Sequence, residues 1–279
     1  MDEKMPGAIS MVRRRCGRSV PYPPRGLTGA LTIASKEGSE LLMNQRGLLW
    51  LLVTCLVLSA FALLLVSDTE LGLLDNAQVV YDMVGLVISL GALLTLVVGA
   101  DAIGGEQDRG SLVPLLLAPL PRSALLLGKL GGQLVAWTAM LIIALPYLWA
   151  VGSTGQNLAA GIACLILLGT PIVLMFGCLG LALGAKFLSA RSALTVGLVV
   201  LILAASPAML GPGLRQTAIG VAVDWVNPFS AILNAVDAVV IDSEPALTQT
   251  TPFAVAFAWL LLALWYARRT VSRLTGSPQ

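Results

Sequence analysis

Apolar runs of bilayer length recur along this chain, with short polar segments between them. They cover residues 48–66, 83–100, 130–151, 158–183, 193–210 and 252–267. Crossing a hydrocarbon core of about 30 Å as a helix takes roughly 20 such residues, and a backbone in lipid must satisfy its own hydrogen bonds. The runs therefore predict transmembrane helices. Composition agrees, with 57% hydrophobic and 11% charged residues, against about 25% charged in a soluble domain. A cleaved export signal or a single anchor explains one run, not a series of them. The expected fold is an all-α integral membrane protein with six spans.

The segments between the runs add detail. Residues 1–26 mix Arg13, Arg14, Arg15, Arg18 and Arg25 with Pro21, Pro23 and Pro24 and hold no apolar h-region. This predicts a disordered basic cytoplasmic tail; the other reading is a polybasic patch on anionic lipid. From Leu27 to Arg46, Leu27, Leu31, Ala34, Leu41 and Leu42 recur at roughly helical spacing opposite Lys36, Glu37, Glu40 and Asn44. That pattern predicts an amphipathic interfacial helix with Lys36 and Glu40 as an i,i+4 pair, or else a plain extension of the first span.

The third run, counted back to Ser123, makes a helix longer than a bilayer is thick, so its start must project from the membrane. The fourth holds Pro171 and Gly161, Gly169, Gly177, Gly180 and Gly184; the GxxxG spacing of Gly180 and Gly184 predicts close helix packing. The fifth should kink or end near Pro207. Between the fifth and sixth, Asn227 and Pro228 read as an N-cap and a first helical residue. Phe229, Ile232, Leu233, Val236, Val239 and Val240 then recur at helical spacing up to Asp242. A helix of about 21 Å cannot cross, so a short outer-face helix is expected, partly immersed or re-entrant, with a broken span as the other reading.

Lysines and arginines concentrate in the tail, in residues 27–46, at Arg109, Arg122 and Lys129, at Lys186 and Arg191, and at Arg268, Arg269 and Arg273; Arg215 is the exception. The loop with Asp68, Glu70, Asp75 and Asp82 has none. By the positive-inside rule both termini are expected in the cytoplasm, which an even number of spans requires.

One segment, Asp101 to Lys129, stands apart. Its apolar centre, Leu112 to Leu120, is too short to span. Glu106, Asp108 and Arg109 precede it, and Pro119, Pro121 and Arg122 close it. It should lie at the cytoplasmic surface as a short helix that docks on something apolar. The bland alternative is a solvated loop whose charges merely end helices.

Several chemistries are excluded or disfavoured. There is no histidine, so no histidine catalysis. Cys16, Cys55, Cys164 and Cys178 are scattered, which argues against a disulfide framework or a thiolate metal site. Soft-metal export is disfavoured for the same reason. No ionisable residue lies deep in a run; Asp82 and Asp101 flank the second. That weighs against an ion-coupled carrier. Leu127 to Leu130 reads Leu-Gly-Lys-Leu and lacks the remainder of a phosphate loop. This chain is not expected to be an enzyme or to hold a cofactor, and energy must come from another chain.

Residues Gly105-Glu106-Gln107-Asp108-Arg109-Gly110-Ser111-Leu112, then Leu115 to Ser123, then Leu126-Leu127-Gly128-Lys129 resemble the signature of ABC type-2 transporter permeases. Ile33 to Glu37 with Asn44 and Arg46 resembles that family's connecting helix, and Asn227-Pro228 the start of its outer helix. The similarity covers about residues 27–270, leaving 271–279 as a C-terminal tail, and the general run resembles permeases of the nitrous-oxide-reductase maturation type.

The resemblance implies a permease subunit, an exporter in a bacterial or archaeal plasma membrane. It implies a second copy, identical or a paralogue, and a separate ATPase subunit that carries ATP and magnesium. Membrane lipids are expected partners; nucleic acid is not. The segment between spans two and three becomes a coupling helix. Leu112, Leu115 and Leu116 would seat in the ATPase, with Glu106, Asp108, Arg109, Gly110 and Arg122 around them and Lys186 and Arg191 in a smaller second contact. Ser89, Thr95, Ser192 and Thr195 would face a path between the copies. The alternatives are a scaffold or assembly factor, or a subunit that transmits mechanical work without moving a substrate.

Overall fold

A computed structural model of the chain describes residues 27–43, 45–67, 76–112, 121–152, 157–209, 217–245 and 248–274. All regular structure among them is helical. The helices are α1 (Leu27–Met43), α2 (Gln45–Ser67), α3 (Asn76–Ala100), α4 (Arg122–Gly152), α5 (Leu158–Cys164, resumed as Thr170–Phe187), α6 (Ala190–Ala205), α7 (Ala218–Val226), α8 (Pro228–Val240) and α9 (Thr250–Ser272). Among the described residues, five helical stretches are long and apolar enough to cross a membrane: Gly47–Leu65, Ala77–Asp108, Arg122–Gly152, Leu158–Phe187 and Thr250–Ser272. The stretch expected as a fifth span forms the 16-residue α6 and a 3-10 turn, Ser206–Met209, at Pro207. The tail 1–26, the loop residues Asp68, Glu70 and Asp75, residues 113–120 and Arg215 lie outside the described residues.

Two helices run further than their apolar patterns. α3 continues past Ala100 through a π-turn, Asp101–Gly105, into Glu106–Asp108. The 32-residue stretch Ala77–Asp108 reaches about 48 Å at 1.5 Å per residue, beyond a hydrocarbon core of about 30 Å. α4 has 31 residues, starts at Arg122 and exceeds the core likewise. In α5 a second π-turn, Leu165–Gly169, sits just ahead of Pro171. Proline has no N–H and its ring crowds the carbonyl one turn back; the wider turn absorbs this, so the helix continues.

The core is the α3–α5 pair. The most apolar windows of these two stretches are 61% buried, against 17% for α2 and α9. Glycine sets the spacing. A Cβ on Gly99 would come 2.5 Å from the Gly177 carbonyl oxygen and one on Gly184 2.9 Å from that of Ala100, while one on Gly180 would strike the Leu96 carbonyl. The Gly180–Gly184 pair thus packs backbones closely. Thr95 donates to the Val173 carbonyl across this contact at 2.7 Å. Trp137 of α4 fills the space behind it, fully buried, its indole N–H donating to Thr170 at 3.0 Å. Tyr147 meets Ser59 at 2.7 Å and so ties α2 to α4.

α1 lies against α4 by the face that carries Ile33, Ala34 and Glu37. A Cβ on Gly128 or Gly131 would come within 2.6 Å of Ile33 or Ala34, and one on Gly132 within 2.8 Å of Glu37. This glycine stripe lets Ile33, Ala34 and Glu37 of α1 approach closely, and Leu31, Leu42 and Met43 are left exposed. The helix keeps an outward apolar edge, as an interfacial helix needs. The Lys36–Glu40 pair forms on its exposed side at 3.6 Å.

At the opposite end of the bundle the Asn227–Pro228 cap forms as its residues suggest. Asn227 Oδ1 accepts from the backbone N–H of Phe229 and Ser230 at 2.8 and 3.2 Å, and its Nδ2 donates to the Ala204 carbonyl. α8 ends at Val240, two residues short of Asp242, and most of its residues are buried. Phe229 packs on Phe176 with ring centroids 5.6 Å apart. Asn157 at the start of α5 donates to the Val240 carbonyl at 2.6 Å.

Candidate functional site

Glu106, Asp108, Arg109, Arg122, Lys186 and Arg191 come together at one end of the bundle, where α3 ends, α4 begins, α5 turns into α6 and α9 stops. The organising residue is Lys129. Its side chain is 1% exposed, and its Nζ donates to Glu37 Oε1 of α1 at 3.0 Å, to Glu106 Oε1 at 2.8 Å and to the Ala102 carbonyl at 2.6 Å. Three protons meet three acceptors. The π-turn makes this possible, because it interrupts the regular ladder where the Ala102 carbonyl receives the ammonium. A buried cation needs such pairing, since an isolated one is too costly to desolvate. The chain leaving α3 and the chain entering α4 are thereby fixed to each other and to α1.

The remaining charges have separate tasks. Arg109 pairs with Asp101 at 3.3 Å on the exposed side. Asp108 Oδ2 accepts from the Ala190 backbone N–H at 3.0 Å. Ser189, the residue at the N-cap of α6, makes no side-chain cap bond, so Asp108 places its negative charge at that helix start, where the dipole favours it. A Cβ on Gly104 would meet the Ser189–Ala190 backbone at under 3.0 Å; glycine lets this turn seat on α3. Lys186 and Arg191 flank the turn and are exposed, which sets them beside the end of α3. Arg122 donates to the Ser272 carbonyl and joins α4 to the end of α9.

Gly110 ends α3 in the left-handed region at φ +72°. The Gly110 N–H bonds the Gln107 carbonyl at 3.0 Å and the Ser111 N–H bonds that of Glu106 at 2.9 Å, the paired pattern of a Schellman cap. This turn directs the chain into Leu112, which is buried in the core. Leu112 is therefore an anchor of the segment and not a side chain offered to a partner, a correction to its expected role. Leu115 and Leu116 lie outside the described residues.

The path-lining set is corrected in part. Thr95 is fully buried, its hydroxyl held between α3 and α5, and faces no surface. Ser89, Ser192 and Thr195 are exposed, with Ser89 and Thr195 bonded one turn back to Gly85 and Arg191. Sequence reasoning missed the burial of Lys129 and Gln133. Both fall on the α4 stripe that continues through Trp137, Met140 and Ala144, and polar residues on an otherwise buried stripe are the signal.

A multi-pass helical membrane protein with a charged, multiply tied end defines the class. The ABC-2 family transporter model matches residues 31–270. The chain is also 31% identical over 274 residues to "Probable ABC transporter permease protein NosY" of Pseudomonas aeruginosa, covering 84% of this chain and 92% of that one. A protein of the same name from Stutzerimonas stutzeri is 32% identical over 156 residues, 53% of this chain and 50% of the other. The chain belongs to the ABC-2 transporter family. It is a membrane permease subunit of an ABC transporter, and that family implies a partner ATPase subunit.

Proposed function

We propose that this chain is the membrane half of an ATP-driven exporter whose ATPase docks on residues 113–120, with the charged end and both termini in the cytoplasm. The observation that carries this reading is the Lys129 junction. A docking segment that receives force must be tied at both its ends to the elements it moves, and Lys129 joins Glu106 before the segment to α4 after it and to Glu37 of α1. The Schellman turn and buried Leu112 fix how the segment starts. Leu115 and Leu116 would then enter the ATPase, with Asp108, Arg109, Arg122, Lys186 and Arg191 around them.

The orientation is supported by charge. The described lysines and arginines belong to segments that converge on this end, whereas the opposite end offers Asp237, Asp242 and Glu244, the asymmetry of the positive-inside rule. With both termini inside, α6 and the Ser206–Met209 turn would complete a sixth span. Sixteen α-helical and four 3-10 residues give about 32 Å, enough to cross. Two copies would form the transporter, and α6 leaves Val199, Ile202 and Leu203 exposed for lipid or for the second copy. ATP and magnesium would belong to the partner.

The test is copurification of the cognate ATPase with the Leu116→Asp variant. Insertion and yield of the permease should hold, and the ATPase should be lost. An ATPase retained at wild-type stoichiometry refutes the docking assignment.

A further inference from the structure

We propose that the cleft between α1, α2 and the last turns of α3 binds an ammonium-headed amphiphile, with an ethanolamine phospholipid of the surrounding membrane as its source. The cleft measures about 590 Å³, within the range of about 300–1,000 Å³ that small-molecule sites occupy. Its two halves differ in chemistry. Leu41, Trp50, Leu51, Leu94 and Val97 give an apolar floor, and Lys36, Glu40, Asp101, Glu106 and Arg109 give a charged rim. An apolar floor beneath a rim of both signs fits a zwitterionic headgroup with its chain below.

A single atom selects the headgroup. Lys129 uses its three protons on Glu37 Oε1, the Ala102 carbonyl and Glu106 Oε1, and none is left for Glu106 Oε2. That oxygen is buried and has no partner among the described residues, in a residue that lines the cleft. The Lys129 ammonium, 2.8 Å from Oε1, offsets part of the cost of burying this carboxylate, but no donor bonds Oε2 itself. A primary ammonium supplies an N–H and a positive charge together, which makes the stronger, charge-assisted kind of bond. A trimethylammonium group supplies the charge and no N–H, so choline lipids lack what this oxygen needs. On the rim Lys36 pairs with Glu40 and Arg109 with Asp101, all exposed, and the two cations would turn to the phosphate. This inference rests on the membrane placement proposed above and not on which motor docks there.

The test uses the full chain in lipid nanodiscs and reads the fluorescence of Trp50, isolated as the difference between the wild type and Trp50→Phe. Lipids with brominated acyl chains quench a tryptophan they touch. Brominated ethanolamine lipid should quench the Trp50 component at about a tenfold lower mole fraction than brominated choline or glycerol lipid, the ratio that one charge-assisted hydrogen bond provides. Glu106→Gln should abolish the preference, and the headgroup comparison on the unmodified chain stands where that variant does not fold. Equal quenching by all three headgroups means ordinary boundary lipid and overturns the proposal. So does a Trp50 component quenched by none of them, which would mean a cleft filled by a second copy. Quenching by a brominated single-chain alkylamine alone would overturn the assignment to a membrane phospholipid. Loss of the ATPase interaction leaves this result unchanged, so the two readings fail separately.

Discussion

Replacing Lys129 by methionine keeps the length and apolar bulk of the side chain and removes the charge. The substitution opens no sizeable cavity, so its effect reports the ion cluster. Removing one partner of a buried ion pair costs about 3–5 kcal/mol, because a charge is left without its counter-ion. Here the orphaned carboxylates retain some access to water, with Glu37 25% and Glu106 19% exposed. That reduces the expected cost to about 2–3 kcal/mol. A chain of this size melts about 2–4 °C lower per kcal/mol, so the purified permease should melt about 5–10 °C below wild type. Thermal denaturation read by size-exclusion fluorescence measures it. Adding Glu37→Gln and Glu106→Gln to Lys129→Met removes the stranded charges and should recover at least half of the loss. A Lys129→Met protein that melts within about 1 °C of wild type refutes the reasoning. So does a triple variant no more stable than the single one.

Other expected outcomes concern packing, capping and placement. Gly180→Ala pushes a methyl group against the Leu96 backbone and Gly177→Ala pushes one against the side chain of Gln133. Each should cost about 1–3 kcal/mol, but Gln133→Ala should rescue only Gly177→Ala, as folded yield in detergent will show. Asn227→Ala removes the acceptor for two amides and the bond to Ala204, a loss of about 1–2 kcal/mol. Hydrogen exchange at Phe229 and Ser230 should accelerate accordingly. In a Cys16→Ser background, a membrane-impermeant thiol reagent added to intact cells should label Thr248→Cys and spare Arg273→Cys, both exposed positions; the reverse pattern refutes the proposed orientation.

Much of the fold was legible because membrane helices are written in long apolar runs, and their glycines and caps act locally. Asn227, Pro228, Gly180 and Gly184 each do what their neighbours in sequence imply. Contacts between distant segments were less legible. Nothing near Asp108 indicates that it caps a helix starting at Ala190, and nothing near Arg122 points to Ser272. The seat of α1 on α4 was not legible either, because the glycines that receive Ile33, Ala34 and Glu37 lie far along the chain. The burial of Lys129 was not legible because its partners, Glu37 and Glu106, lie far away in sequence. Thr95 read as a polar residue available to a path, yet a lone hydroxyl in an apolar helix more readily satisfies the carbonyl across a close contact.

The central claim is that a separate ATPase engages the segment between α3 and α4. A photo-crosslinking residue in place of Leu116, with the cognate ATPase present in native membranes, tests it most directly. The same residue in place of Thr248, at the opposite end of the bundle, is the control. The account predicts an adduct with the ATPase from position 116 and none from position 248. An adduct from 248, or none from 116 when the two proteins copurify, would contradict it.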